Sequence, residues 1–156
     1  MTRVKTVLVM VTILSAVATS IISWTSVTAH SGASGMVKHR MELMKSLASS
    51  MKSLAAMFQG KADYDPVEIK QISVTVSEHA KKIPAMFPKD SNKHPSEAKA
   101  SIWSDWSGFE RAASALDEQA EMLSKTAREK AAATKSFKQL ASTCKGCHED
   151  YREKKQ

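Results

Sequence analysis

Glycine, proline and aromatic residues are all scarce: Gly 5, Pro 4 and 6% Phe, Trp and Tyr in 156 residues. That scarcity disfavours a turn-rich all-β sandwich or barrel. Two cysteines are too few for a disulfide-dense scaffold or a four-thiolate zinc site. Apolar residues are not lacking. At 42% hydrophobic and 25% charged, the chain is globular rather than disordered, and its length suits one domain. Lys+Arg 23 against Asp+Glu 16 gives +7, a bias that fits nucleic acid, an anionic membrane or an acidic protein.

The N-terminus reads as an export signal. Arg3 and Lys5 precede an apolar stretch from Thr6 to Ile22, and Val27-Thr28-Ala29 suits cleavage after Ala29. Residues 1–29 are therefore expected to be removed, leaving 30–156 as the functional domain in the periplasm. An uncleaved anchor is the alternative, but polar residues thin the second half of the stretch. Removal takes away two of the 23 basic residues, leaving 21 against 16 acidic, or +5. No basic patch is interleaved with aromatics, so nucleic-acid binding is not expected.

The rest of the chain divides into four helical segments. In 36–58, Val37, Met44, Leu47, Met51, Leu54, Ala55 and Phe58 fall in one helical stripe, and Gly60 signals a stop. Asp65-Pro66-Val67-Glu68 reads as an N-cap with proline at the first helical position. A second helix then runs to Ile83 with Ile69, Ile72, Val76, Ala80 and Ile83 inward. The prolines between Pro84 and Pro95 mark a loop. A third helix is expected over 96–125, with Ile102, Trp103, Trp106 and Phe109, and a fourth over 128–152. The pattern specifies an all-α, antiparallel four-helix bundle.

The chemistry lies in Cys144-Lys145-Gly146-Cys147-His148, the attachment signature of c-type haem. On a helix Cys144 and Cys147 share a face, so both thiols reach the vinyl groups along one porphyrin edge. His148 comes next in the chain and supplies the proximal iron ligand. Gly146 is expected to relieve bulk where the macrocycle meets backbone. A thioredoxin-type dithiol lacks its βαβ context, and zinc would need ligands from the scattered His39, His79 or His94. A disulfide closing so small a loop would add little stability.

With an export signal before it and the chain's end close behind, this motif resembles the class II c-type cytochromes, the cytochrome c prime family and its low-spin relatives. Arg40-Met41-Glu42-Leu43-Met44 resembles the family's first-helix pattern, and Ile102-Trp103 with Phe109 resembles the third. Cys144 to Arg152 resembles the terminal pattern almost residue for residue. The resemblance implies one covalent haem c in a four-helix bundle, Met44 facing its distal side, Arg40 at a propionate, and a possible homodimer. Arg40 also lies inside the apolar stripe, where a guanidinium needs a counter-charge; the bland alternative is an arginine snorkelling to the bundle's edge. The resemblance places Arg152 beside the proximal histidine.

Two functions are in view. In one, iron is six-coordinate between His148 and Met44 and the protein carries electrons to or from an acidic redox protein through salt-sensitive contacts. In the other, iron is five-coordinate and binds nitric oxide or carbon monoxide. A classical enzyme is not expected, since no distal acid–base set is apparent.

Overall fold

The computed structural model describes residues 35–154; the expected signal segment and its cleavage site lie outside them. The elements are α1 (Gly35–Phe58), α2 (Pro66–Lys82), a single 3₁₀ turn at Pro84–Met86, α3 (Ser101–Ser104), α4 (Trp106–Thr126) and α5 (Lys130–Tyr151). Short connections at 59–65 and 127–129 turn α2 back on α1 and α5 back on α4. The four long helices form the bundle, with α4 packed extensively against both α2 and α5, and α1 meeting α5 only sparsely.

Local chemistry sets each boundary. Gly60 adopts φ +71 and its N–H donates to the Met57 carbonyl, ending α1. The Asp65 carboxylate accepts from the Val67 and Glu68 N–H groups at 2.8 and 3.2 Å, with Pro66 opening α2. The core joins Leu54 of α1, Ile69 and Val76 of α2, Ala120 and Leu123 of α4, and Ala133 and Leu140 of α5, all fully buried. Three buried serines escaped the apolar pattern: Ser73 donates back to the Ile69 carbonyl, Ser77 donates to Asp117 across the α2–α4 seam, and Ser136 accepts from the Thr126 hydroxyl.

The expected third helix over 96–125 is broken. Residues 96–100 are not helical, and Asp105, with φ −123 and ψ 54, separates the short α3 from α4. The break goes with two simultaneous hydrogen bonds to its carboxylate, one at each oxygen. Asp105 accepts from the Gly108 N–H at 3.1 Å as the cap of α4, and from the Tyr151 hydroxyl at 2.8 Å. A side chain that caps the next turn leaves the preceding one unfinished. The fourth helix begins two residues later than expected, because Glu129 is extended.

At one end of the bundle, Phe58 of α1 stacks on Phe137 of α5 with centroids 4.7 Å apart, and Tyr64 closes over the pair. Toward the other end, the α1–α5 seam is lined by apolar side chains that stay half-buried, among them Met44, Met51, Cys144 and Cys147. That seam is where the sequence motif emerges.

Candidate haem site

Cys144, Cys147 and His148 lie in the last two turns of α5. Both cysteines are free and half-buried. Burial pushes the Cys144 thiol up, and pushes Cys147 to about 11, with Cys144 and Asp150 adding to it. Both sulfurs are therefore neutral thiols at neutral pH. His148 is shifted down, first by burial and then by the positive charge of Arg152. The shift favours the neutral imidazole, the form that ligates iron.

The helix end carrying His148 is clamped. Lys99 N–H donates to the Tyr151 carbonyl, Lys99 Nζ to the Glu149 carbonyl and Ser101 to the Asp150 carbonyl. These bonds satisfy C-terminal carbonyls that α5 leaves without helical partners. Ala98 and Arg152 form an isolated antiparallel bridge, while the Arg152 guanidinium holds the Glu97 carboxylate at 2.6 and 2.8 Å. Arg152 thus engages Glu97 while remaining near enough to His148 to bias its titration.

Arg40 is buried, at 5% exposure. Its Nη2 donates to the Ser91 carbonyl at 2.9 Å and Ser96 Oγ at 2.7 Å, while Nη1 lies within 3.5 Å of the Met86 carbonyl and Ser91 Oγ. Its guanidinium carbon sits 4.3 Å from the Phe87 ring centroid. The snorkelling alternative is thereby excluded. Every one of these partners is neutral, and burial lowers its pKa, but an arginine keeps its charge in protein interiors. A buried, uncompensated cation at the rim of an apolar seam fits a carboxylate-bearing ligand. Trp103 steadies the same loop by donating from Nε1 to the Phe87 and Pro88 carbonyls, each at 3.1 Å.

The helical rise indicates which residues of α1 lie opposite the motif. Counting from the Phe58–Phe137 stack at about 1.5 Å per residue in antiparallel helices, Leu47 comes level with His148. Met44 and Met51 then lie about one turn to either side. Axial level alone does not separate the two thioethers, which share one stripe of α1; the first-helix resemblance is what singles out Met44. Gly146 lies about 160° from Cys144 and His148 on the helical wheel, and a Cβ there would meet no protein atom within 4 Å.

The donor set suits haem c: two neutral thiols on one helical face, an adjacent neutral imidazole, a half-buried apolar seam and an unneutralised arginine. Comparison with known proteins decides the family. Residues 35–152 match the family described as Cytochrome C'. The chain belongs to the cytochrome c' family. Cytochrome c-556 of Agrobacterium tumefaciens (strain II Chrys) is 34% identical over 122 residues, spanning 78% of this chain and 99% of that relative. The solved structure of cytochrome c' from Rhodopseudomonas palustris superposes with a TM-score of 0.75 at 27% identity, covering 80% of this chain and all of the other. A nitric oxide complex of a cytochrome c prime variant from Alcaligenes xylosoxidans gives 0.70 at 26%, covering 77% and 94%. The four-helix bundle is thus the fold of this cytochrome c' family member, and covalently bound haem c is its cofactor. Among the described residues, no helix is long and apolar enough to cross a membrane.

Proposed function

We propose that this protein is a periplasmic electron carrier whose haem c is joined to Cys144 and Cys147 and ligated by His148 and Met44. When bound, the group supplies an iron that alternates between ferrous and ferric states. His148 provides the proximal nitrogen from a helix end fixed by Lys99 and Ser101. Arg40 neutralises a propionate and ties α1 and the 84–96 loop to the porphyrin edge. Met44, one turn beyond Arg40 and half-buried, provides the distal thioether; a bound thioether raises the potential and keeps small ligands off the iron.

The observation that supports this reading is the half-buried thioether of Met44 in a seam whose charged rim, Arg40, has no anionic partner among the described residues. Absorption spectra of ferric and ferrous wild type, Met44→Ala and Met51→Ala test it. Low-spin wild type, with Met44→Ala alone becoming high-spin and carbon-monoxide-reactive, is the expected result. High-spin wild type that binds carbon monoxide leaves Met44 as packing. The second reading, a five-coordinate binder of nitric oxide or carbon monoxide, would then replace the first, as the nitric oxide complex of the Alcaligenes relative suggests.

A further inference from the structure

On α1, Lys38, Lys45 and Lys52 recur every seven residues, and on α5 Lys138 and Lys145 stand seven apart, with Arg152 in extended backbone just beyond the helix end. A seven-residue step drifts by only about 20° on an α-helix, so the lysines of each helix form one row. All six side chains are exposed. Contacts fix the direction of both rows. Successive residues turn by about 100°, which places Met44 between the core-facing Leu54 and Lys45 on α1. On α5, Phe137, which meets α1, falls between the core-facing Leu140 and the pair Lys138 and Lys145. Both rows therefore project outward from the face that α1 and α5 share, flanking the seam that holds the haem motif. Small or half-buried apolar residues, Met41, Ala48 and Ala141, lie between them.

Between α2 and α4, charge is cross-paired. Lys81 contacts Asp117 and Glu121 across α2 and α4, at 3.4 and 3.5 Å, and Glu121 also holds Lys125. On the α1–α5 face, Lys38 and Lys145 reach only the carboxylates one turn along, at 4.0 and 3.6 Å, and Arg152 takes Glu97. Lys45, Lys52 and Lys138 form no ion pair among the described residues. The exposed large apolar side chains, Met36, Val67, Val74 and Met122, belong to neither row, and three of the four lie on α2 and α4. That distribution disfavours a membrane surface, which would require apolar anchors among the cations.

Resting on the electron-carrier reading above, we propose that the α1–α5 face is the docking surface for an acidic redox protein, with the two cationic rows steering it over the haem seam. Long-range attraction raises the encounter rate, and the small apolar strip permits close approach without a large desolvation cost.

Reduction of the ferric holoprotein by an acidic flavodoxin, followed by stopped flow over a salt series, tests the surface. One electron leaves the reduced flavin and converts ferric to ferrous iron. In Lys45→Gln/Lys138→Gln the rate at low salt should fall roughly three- to tenfold and its salt dependence should flatten. Lys70→Gln/Lys82→Gln removes the same net charge from α2 and should lose less than half as much. Carbodiimide cross-links to flavodoxin carboxylates should map to the two rows. Equal losses from both pairs, or rates indifferent to salt, would overturn the proposal. So would sedimentation with phosphatidylglycerol–phosphatidylcholine vesicles at about 0.15 M ionic strength without charge-sensitive exchange. A high-spin spectrum with charge-sensitive exchange intact would discard Met44 ligation and leave the docking surface standing.

Discussion

Arg40 is the residue whose environment most directly demands something the described residues do not supply. Its partners, two serines, a backbone carbonyl and an aromatic ring, orient the guanidinium without neutralising it. Removing a positive charge beside the porphyrin favours ferric iron. Arg40→Gln should therefore lower the reduction potential, read by voltammetry, and destabilise the holoprotein by roughly 2–3 kcal/mol through lost charged hydrogen bonds. Tyr151 makes a separate prediction. Burial first, and then the Asp105 carboxylate, push its phenol up to about 12 from 10.0. A pKa raised on folding contributes stability that is fully present below the unfolded value and is lost as pH climbs through the folded one. Urea midpoints of the wild type should thus decline between about pH 10 and 12, and Tyr151→Phe should decline less over that window.

Helix ends and interruptions explain more of the bundle than helix interiors do. The break at Asp105 places one carboxylate where it both starts α4 and receives α5 through Tyr151. Gly108 lets this happen: a Cβ there would collide with the Asp105 carboxylate and the Tyr151 hydroxyl. Gly108→Ala should cost about 1–3 kcal/mol through overpacking, although alanine is the better helix former. Gly146, inside α5 with open space around its Cβ position, should behave oppositely. Gly146→Ala should stabilise by about 0.5–1 kcal/mol with haem content unchanged. Thermal melts of the two holoproteins distinguish these signs.

The bundle as a whole has an unequal architecture. α4 is packed against two neighbours, whereas α1 meets α5 only sparsely, the Phe58–Phe137 stack among their contacts. Half-buried Met44, Met51, Cys144 and Cys147 along the remaining seam mean that the prosthetic group contributes a share of the core. A Cys144→Ala/Cys147→Ala chain without haem should therefore melt at lower temperature and with less cooperativity than the holoprotein, as followed by circular dichroism.

The haem motif, the helical class, the start of α2 and the end of α1 were legible in the sequence because each rests on local chemistry. A thiol spacing, a 3.6-residue period, an Asp-Pro cap and a glycine at positive φ act within a few residues of themselves. The break in the third helix was not legible, since Asp105 is set by a tyrosine hydroxyl 46 residues away. Nor were the burial of Ser77 or the clamp of 97–101 on the end of α5. The lysines at sevenfold spacing on α1 and α5 were visible as letters, but only the packing of α1 beside α5 turns them to one face. Period and cap are properties of a chain segment. The partner of a carboxylate, and the face to which a charge belongs, depend on which segments the fold brings together.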